Sequence, residues 1–375
     1  MRGLNVGIVG CGNISGIYFE NLPLFPMLRI AACADLHSAA AERQAMTYGV
    51  EASSVDALLA RNDIDIVVNL TIPAAHAEVT LAALAAGKHV YSEKPLAIRG
   101  DDGEKILAEA ARRNLHVGVA PDTVLGAGLR ACRQLIDAGR LGRIVTGTAT
   151  IFSHGMEHWH PDPEFFFKPG AGPVFDMGPY YIAALVQLLG PVARAGAMTA
   201  TGQDERIVTA ESPKKGSRIR VETPTTALAI LQFATGAIVS LQASWDVWRH
   251  DQAPIELHGT EGSLRVPDPN FFGGPVLFTE RGGDWQPVDC SQQAFGAINW
   301  PVAGPEQANY RGIGIADLAA AVSGAAHRTS AAMGLHVLQV MGAILESGRA
   351  GRFIDLPPAQ RPPALSEAEA ARFLS

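Results

Sequence analysis

Three side chains of this sequence could handle protons at positions that composition alone does not explain. Lys94 stands in "SEKPLA", and Asp176 and Tyr180 stand in "GAGPVFDMGPYYIAALVQLLG", residues 170–190. Residues four apart share one face of a helix. An apolar stretch bound for the core has little use for a carboxylate. Either Asp176 caps the helix that Pro179 opens, or it meets a partner. An unperturbed phenol titrates near 10, so Tyr180 can act as acid or base only where a cation lowers that value. Lys94 is the candidate cation. The alternative for Lys94 is a surface lysine paired with Glu93.

The segments that must position these residues begin at the N-terminus. Short apolar runs at Leu4–Gly10, Leu28–Asp35, Ile64–Thr71, His89–Pro95 and Leu115–Pro121 read as buried parallel strands. Helical patterns lie between them, two closing at Gly49 and Gly87, and "GDDGEKILAEAARRN" opening on acidic residues. Such alternation predicts a doubly wound parallel sheet of the Rossmann type. The turn after the first strand is "GCGNIS". Gly10 allows the tight turn and Gly12 lets backbone approach a pyrophosphate, which then sits on a helix N-terminus beside Asn13 and Ile14. Ser15 takes the third glycine's place. Asp35, about 20 residues on, is placed to accept ribose hydroxyls. A carboxylate there repels the extra phosphate of NADP, and Leu36 and His37 bring no arginine to hold it. The cofactor expected is therefore NAD rather than NADP. Lys94 follows the fourth strand, at the edge where open α/β sheets bind ligands.

From about Leu125 the pattern changes. An amphipathic helix, "LRACRQLIDAGRLG", precedes strand patterns at Ile144–Phe152, Ala193–Ala200, Thr226–Phe233, Ala237–Ser244, Ile255–Gly259 and Ser263–Val266. Two helical patterns, each closing in a glycine, form the tail. Runs of strands with few helices between them favour an antiparallel sheet, so the expected organisation is α/β throughout: a Rossmann domain over 1–122 and a second α/β domain over 123–375. The loop "FSHGMEHWHPDPEFFF" could line a substrate pocket. His154, His158 and His160 would bond a ligand's hydroxyls, and Trp159 would stack on its apolar face. A surface loop packed by its own aromatics is the other reading. Trp245 and Trp248 in "SWDVWRH" are either sugar platforms or sheet packing, and Trp245 is the one taken as substrate-binding. The His-x₃-His-x-His spacing has no helix to fix it, so no metal is expected.

"GIVGCGNIS", "NLTIPAAHAEVTLAALAAGKHVYSEKPLA" and "GAGPVFDMGPYY" together resemble the Gfo/Idh/MocA oxidoreductases, the family of glucose–fructose oxidoreductase and inositol dehydrogenase. The resemblance implies that Lys94 is the catalytic lysine and that Thr71, Pro73 and His76 lie along the cofactor. It places Glu93 near the nicotinamide ribose, and Asp176 and Tyr180 beside the substrate. His76 could instead cap the helix that starts near it. Many members carry histidine where Tyr180 stands, and asparagine or arginine where this chain has "APDT"; Asp122 either replaces that contact or leaves it absent. The resemblance implies that the second domain is a substrate-binding α/β domain with a large, mostly antiparallel open sheet, which often mediates dimers or tetramers in the family, so a homodimer or homotetramer is expected. The implied activity is hydride transfer between NAD and a secondary hydroxyl or keto group of a sugar, polyol or glycoside. The alternatives are a glycosidase-like enzyme working by transient oxidation, elimination and re-reduction, or a nucleotide-binding regulator without catalysis.

Composition agrees with an enzyme of small molecules. A net charge of −7, with scattered basic residues, gives no reason to expect nucleic acid or an anionic membrane as partner. No stretch is long and apolar enough to span a bilayer. Cys11, Cys33, Cys132 and Cys290 fit neither a zinc clamp nor a disulfide framework, and reduced thiols suit a cytoplasmic protein.

Overall fold

The computed structural model describes residues 3–300 and 307–375. Its N-terminal sheet contains β1 (Leu4–Val9), β2 (Leu28–Ala34), β3 (Glu51–Ser53), β4 (Ile66–Asn69), β5 (His89–Ser92) and β6 (Val117–Val119). All are parallel, in the order β3-β2-β1-β4-β5-β6. Helices α1 (Ser15–Asn21), α2 (Ser38–Tyr48), α3 (Val55–Ala60), α4 (His76–Ala85) and α5 (Gly100–Arg113) connect them. Every β1 residue from Asn5 to Val9 is buried, as a strand covered on both faces requires. Strand order reverses between β1 and β4, and the crevice at their carboxyl ends is where such sheets bind ligands. The expected Rossmann sheet is present, with one strand more than the five anticipated. The extra strand, β3, is three residues of "EAS" at the sheet edge, with no apolar run to announce it.

After α6 (Ala127–Asp137) come β7 (Ile144–Phe152), α7 (Gly172–Asp176), α8 (Gly178–Leu189) and β8 (Val192–Ala200). A two-stranded hairpin follows, β9 (Glu205–Ile207) and β10 (Arg218–Arg220). Then come β11 (Thr226–Phe233), β12 (Ile238–Ser244), β13 (Ile255–Gly259), β14 (Gly262–Val266), β15 (Val276–Glu280) and β16 (Gln286–Val288). With β17 (Ile354–Asp355), nine strands form one sheet in the order β16-β15-β14-β13-β7-β12-β11-β8-β17. Only β7 and β12 pair in parallel; the other pairs are antiparallel. This is the large, mostly antiparallel sheet that the strand-rich sequence implied.

Alternation in β11 decides the faces. Ala227, Ala229, Leu231 and Phe233 point inward, while Leu228 and Ile230 face out. The inward side chains share one core with α8, whose twelve residues are all buried. A helix apolar all round must be packed all round. The closing helices α9 (Ile313–Val322) and α10 (Ala331–Ala350) return to the N-terminal sheet: Val119 N–H donates to Thr329 O at 2.7 Å, and Val119 lies against Gly334. The chain ends in α11 (Glu367–Arg372), opened by a capping box between Ser366 and Glu369.

Candidate active site

The glycine turn fits the dinucleotide role on two observations. Gly10 adopts φ +101°, and a Cβ there would lie 2.6 Å from the Leu70 carbonyl, so only glycine lets the loops after β1 and β4 meet. A Cβ on Gly12 would meet nothing within 4 Å, which leaves its backbone open to a phosphate. Asn13 and Ile14 continue this turn into α1, and Ser15 Oγ closes it by donating to Gly12 O at 2.7 Å. Asp35 ends β2 with one carboxylate oxygen accepting from Cys11 N–H at 2.7 Å and the other from His37 N–H at 2.8 Å. The carboxylate is thereby aimed before any ligand arrives.

Thr71 and Pro73 lie on the loop after β4. His76 continues the same loop and is the first residue of α4. It is buried, and its ring nitrogens face the carbonyl oxygens of Pro95 (2.7 Å) and Thr71 (3.0 Å). It therefore braces the cofactor loop against the Lys94 loop. It is not a cap, for the residue before α4 is Ala75 and carries no side-chain cap bond.

Asp176 is the last residue of α7, and Met177 takes the cap position of α8. The carboxylate is thus free for a partner, and the partner is Lys94. Lys94 Nζ donates to the Asp176 carbonyl at 2.8 Å and to its Oδ1 at 3.2 Å. The same ammonium lies 5.1 Å from the centre of the Tyr180 ring. Residues from the two halves of the chain therefore meet at the carboxyl end of β5. Burial draws the Lys94 pKa down, but the charge of Asp176, with Tyr180 and Glu93, outweighs it and holds the amine above its usual range. These groups act in the opposite sense to a nicotinamide cation, which would favour the free amine.

Beneath Lys94 lies a buried polar layer that the sequence did not announce. Glu93 accepts from Tyr18 Oη at 2.8 Å, from Arg311 Nη1 at 3.3 Å and from the Lys94 N–H at 3.0 Å. Its carboxylate is committed to these partners inside the protein. Burial would raise the Glu93 pKa; Arg311 and Lys94 reverse that and lower it. Burial likewise opposes the Arg311 charge, but Tyr180, Glu93, Tyr18 and Asp122 hold the guanidinium well above its usual range. Asp122 turns away from the crevice. Its Oδ2 accepts from the N–H groups of Gly312 (2.7 Å) and Gly314 (3.1 Å), fixing the segment that carries Arg311. The available signal was a charged residue just ahead of the apolar run "GIGIADLAAA".

The loop after β7 borders this site. It runs into α7, and at Gly170 a Cβ would lie 3.1 Å from Ile98, four residues beyond Lys94. Trp245 does not serve the pocket. It is 0 % exposed and packs edge-on against Phe166 and Phe167. The backbone N–H of Trp245 still donates to Thr225 O, so the sheet register continues past Ser244 and carries the indole into the core. The exposed indole is Trp248, at 83 %, stacked on His154 with ring centres 3.2 Å apart. His158 and Trp159 face solvent. His160 packs edge-on against Trp159, Phe165 and Phe166, so it belongs to the loop's own aromatic packing. Among the described residues no cluster of metal-ligating side chains occurs.

Residues 4–120 match the family model described as "Oxidoreductase family, NAD-binding Rossmann fold". Residues 129–265 match the one described as "GFO/IDH/MocA C-terminal domain". The chain belongs to the Gfo/Idh/MocA oxidoreductase family. It is an oxidoreductase with an NAD-binding domain. It is 31% identical to dTDP-3,4-didehydro-2,6-dideoxy-alpha-D-glucose 3-reductase of Streptomyces violaceoruber, over 80% of this chain and 84% of that one. It is 26% identical to levoglucosan dehydrogenase of Pseudarthrobacter phenanthrenivorans, over 95% and 99%. A solved structure of levoglucosan dehydrogenase with NADH and levoglucosan shares the fold with a TM-score of 0.80 at 24% identity, covering 95% of this Gfo/Idh/MocA chain and 100% of that one. Among the described residues no helix is long and apolar enough to cross a membrane.

Proposed function

We propose that this family member transfers hydride between NAD and a secondary hydroxyl or keto carbon of a sugar, polyol or glycoside, with Lys94, Asp176 and Tyr180 at the reacting oxygen. The observation that carries the proposal is the meeting of Lys94 with Asp176 and Tyr180 at the strand ends that hold the glycine turn. Named relatives acting on an anhydrosugar and on inositol support the substrate class.

The backbone of Gly10, Gly12, Asn13 and Ile14 holds the pyrophosphate, Asp35 holds the ribose, and Thr71 and Pro73 line the cofactor's path. Leu36 and Ile72 are strongly exposed beside these residues and offer apolar walls for the adenine. When bound, NAD supplies the hydride acceptor. The protein's part is to place the carbinol and manage its proton. Two of the three ammonium donors of Lys94 are spent on Asp176. The third is left for the substrate oxygen, where it stabilises the negative charge that develops. Tyr180 would take the carbinol proton as a phenolate, the form that the Lys94 ammonium, 5.1 Å from the ring centre, would favour. Asp176 fixes the lysine's direction through two bonds.

We also infer assembly of copies through the outer face of the nine-stranded sheet, where Met198, Leu228, Ile230 and Ile238 are exposed. A contiguous apolar patch on a sheet seeks cover, and a monomer in sedimentation would dismiss the inference.

The test is absorbance at 340 nm with NAD⁺ against levoglucosan, myo-inositol, L-sorbitol and simple glycosides. Formation of NADH with at least one, and a weaker response with NADP⁺, is expected. Glycoside cleavage without net NADH would instead indicate oxidation, elimination and re-reduction, and no reaction with any sugar or polyol would contradict the reading.

A further inference from the structure

Away from the reacting groups, a cluster of charge surrounds Arg206, on β9. Its side chain is nearly inaccessible, and it binds two carboxylates from different loops. Nη1 donates to Glu157 Oε1 at 2.8 Å, and Nη2 pairs with Asp246 Oδ1 and donates to Trp245 O at 3.2 Å. Glu157 belongs to the loop after β7, and Asp246 to the loop after β12. The far oxygen of Asp246 accepts from Thr225 Oγ1 (2.7 Å) and Thr226 Oγ1 (2.6 Å), which ties the group to β11. The carbonyl of Glu157 accepts from the N–H groups of Thr209 and Ala210 at 2.8 and 2.9 Å. The β9–β10 hairpin is thus a strut under the loop, sealed by a small apolar core that includes Met156, Phe167, Val208, Ile219 and Trp245.

The two loops that Arg206 joins are the ones that bring His154 and Trp248 into their stack. Without the guanidinium, the buried Glu157 carboxylate and the half-buried one of Asp246 would face each other with no cation between them. A lysine could neutralise charge but could not present a planar fork to both at once.

We infer that Arg206 is a positioning residue: by clamping Glu157 to Asp246 it holds His154 and Trp248 as a preformed wall of the substrate pocket. This rests on the proposed sugar chemistry and names the part of the chain that sets substrate affinity. Burial, followed by the Arg206 charge, pushes the His154 pKa down. The wall therefore presents a neutral imidazole whose Nδ1 is enclosed, leaving Nε2 to meet a hydroxyl, beside an indole face that suits the C–H face of a sugar ring.

The experiment compares Arg206→Lys, Arg206→Met, Trp248→Ala and the Arg206→Lys/Trp248→Ala pair. The substrate is whichever of levoglucosan, myo-inositol and L-sorbitol the wild type oxidises fastest. Arg206→Lys should raise KM about tenfold or more while kcat moves by less than about threefold, the pattern of lost ground-state binding. NAD affinity should stay within about twofold. The paired change should add little to KM beyond the larger single change, because both act through one wall. Hydrogen exchange should show faster exchange over residues 153–162 in Arg206→Lys, with the N-terminal sheet unaltered. Arg206→Met should exaggerate each effect, and if it does not fold the lysine variant decides. Unchanged KM, an equal fall in kcat, additive effects, or loop exchange like the wild type would overturn the inference. A wild type inert toward all three compounds would count against the sugar reading, while exchange would still decide whether Arg206 holds the loop.

Discussion

Replacing Lys94 with methionine is expected to lower kcat by about three orders of magnitude while leaving NAD affinity within a few-fold of wild type. Methionine keeps the length and apolar stem but removes every donor. Positioned proton handling contributes about 10²–10⁴ in rate, and one preorganised donor at a developing oxyanion about 10²–10³. Lys94 is placed to serve both ends, because it touches Asp176 through two bonds and lies against Tyr180. Stability should change little. Asp176 retains partial exposure, so water can replace its lost partner. Stopped-flow absorbance for turnover and a fluorescence titration for NAD make the comparison. A variant within about tenfold of wild type would remove Lys94 from the chemistry.

Arg311→Met should produce the largest loss of stability of any single change near the site. It strips Glu93 of the cation it pairs with among the described residues and leaves a buried carboxylate on Tyr18 and one backbone N–H. Breaking a buried pair from one side costs about 3–5 kcal/mol. The pH dependence gives the cause a signature. In the wild type the Glu93 pKa is lowered, so its contribution is present above the unfolded carboxylate range, near 4.3, and fades as pH falls through the folded value. In the variant, burial acts with less opposition and the folded pKa rises. The charged form is then disfavoured, and stability falls as pH climbs past the unfolded value. The deficit should therefore be large at neutral pH and shrink toward pH 4. Adding Glu93→Gln should recover much of it. Thermal unfolding across that range is the measurement, and a deficit independent of pH would show that Arg311 acts by packing alone. Activity should fall as well, since Glu93 and Lys94 are adjacent and share this layer.

What the sequence made legible follows from range. The glycine turn, Asp35 and the strand ends are local patterns, read from spacing along one βαβ unit. The strands Ile144–Phe152, Thr226–Phe233 and Ile255–Gly259 emerge at their anticipated bounds because alternation or apolar runs mark them. The Asp176–Tyr180 pair was visible as polar groups in an apolar helix region, and Lys94 as a strand-end lysine. Arg311 was not, since it meets Glu93 across 218 positions and nothing in its neighbourhood encodes that partner. Short edge strands such as Glu51–Ser53 and Glu205–Ile207 escaped because three residues carry too little pattern. The two tryptophans of "SWDVWRH" were indistinguishable for a similar reason. Which indole faces inward depends on how far sheet register persists beyond Ser244, a property of Thr225 on the neighbouring strand.

In the proposed reaction hydride leaves a carbinol carbon that the Lys94–Asp176–Tyr180 group holds by its oxygen. The most direct test takes whichever sugar or polyol of the panel the wild type oxidises, deuterated at its carbinol carbons, incubates it with NAD⁺ and the wild-type enzyme, and reads the mass of the reduced cofactor. One deuterium in the cofactor for each sugar oxidised is the predicted result. Reduced cofactor without label, while the labelled sugar is consumed, would contradict it.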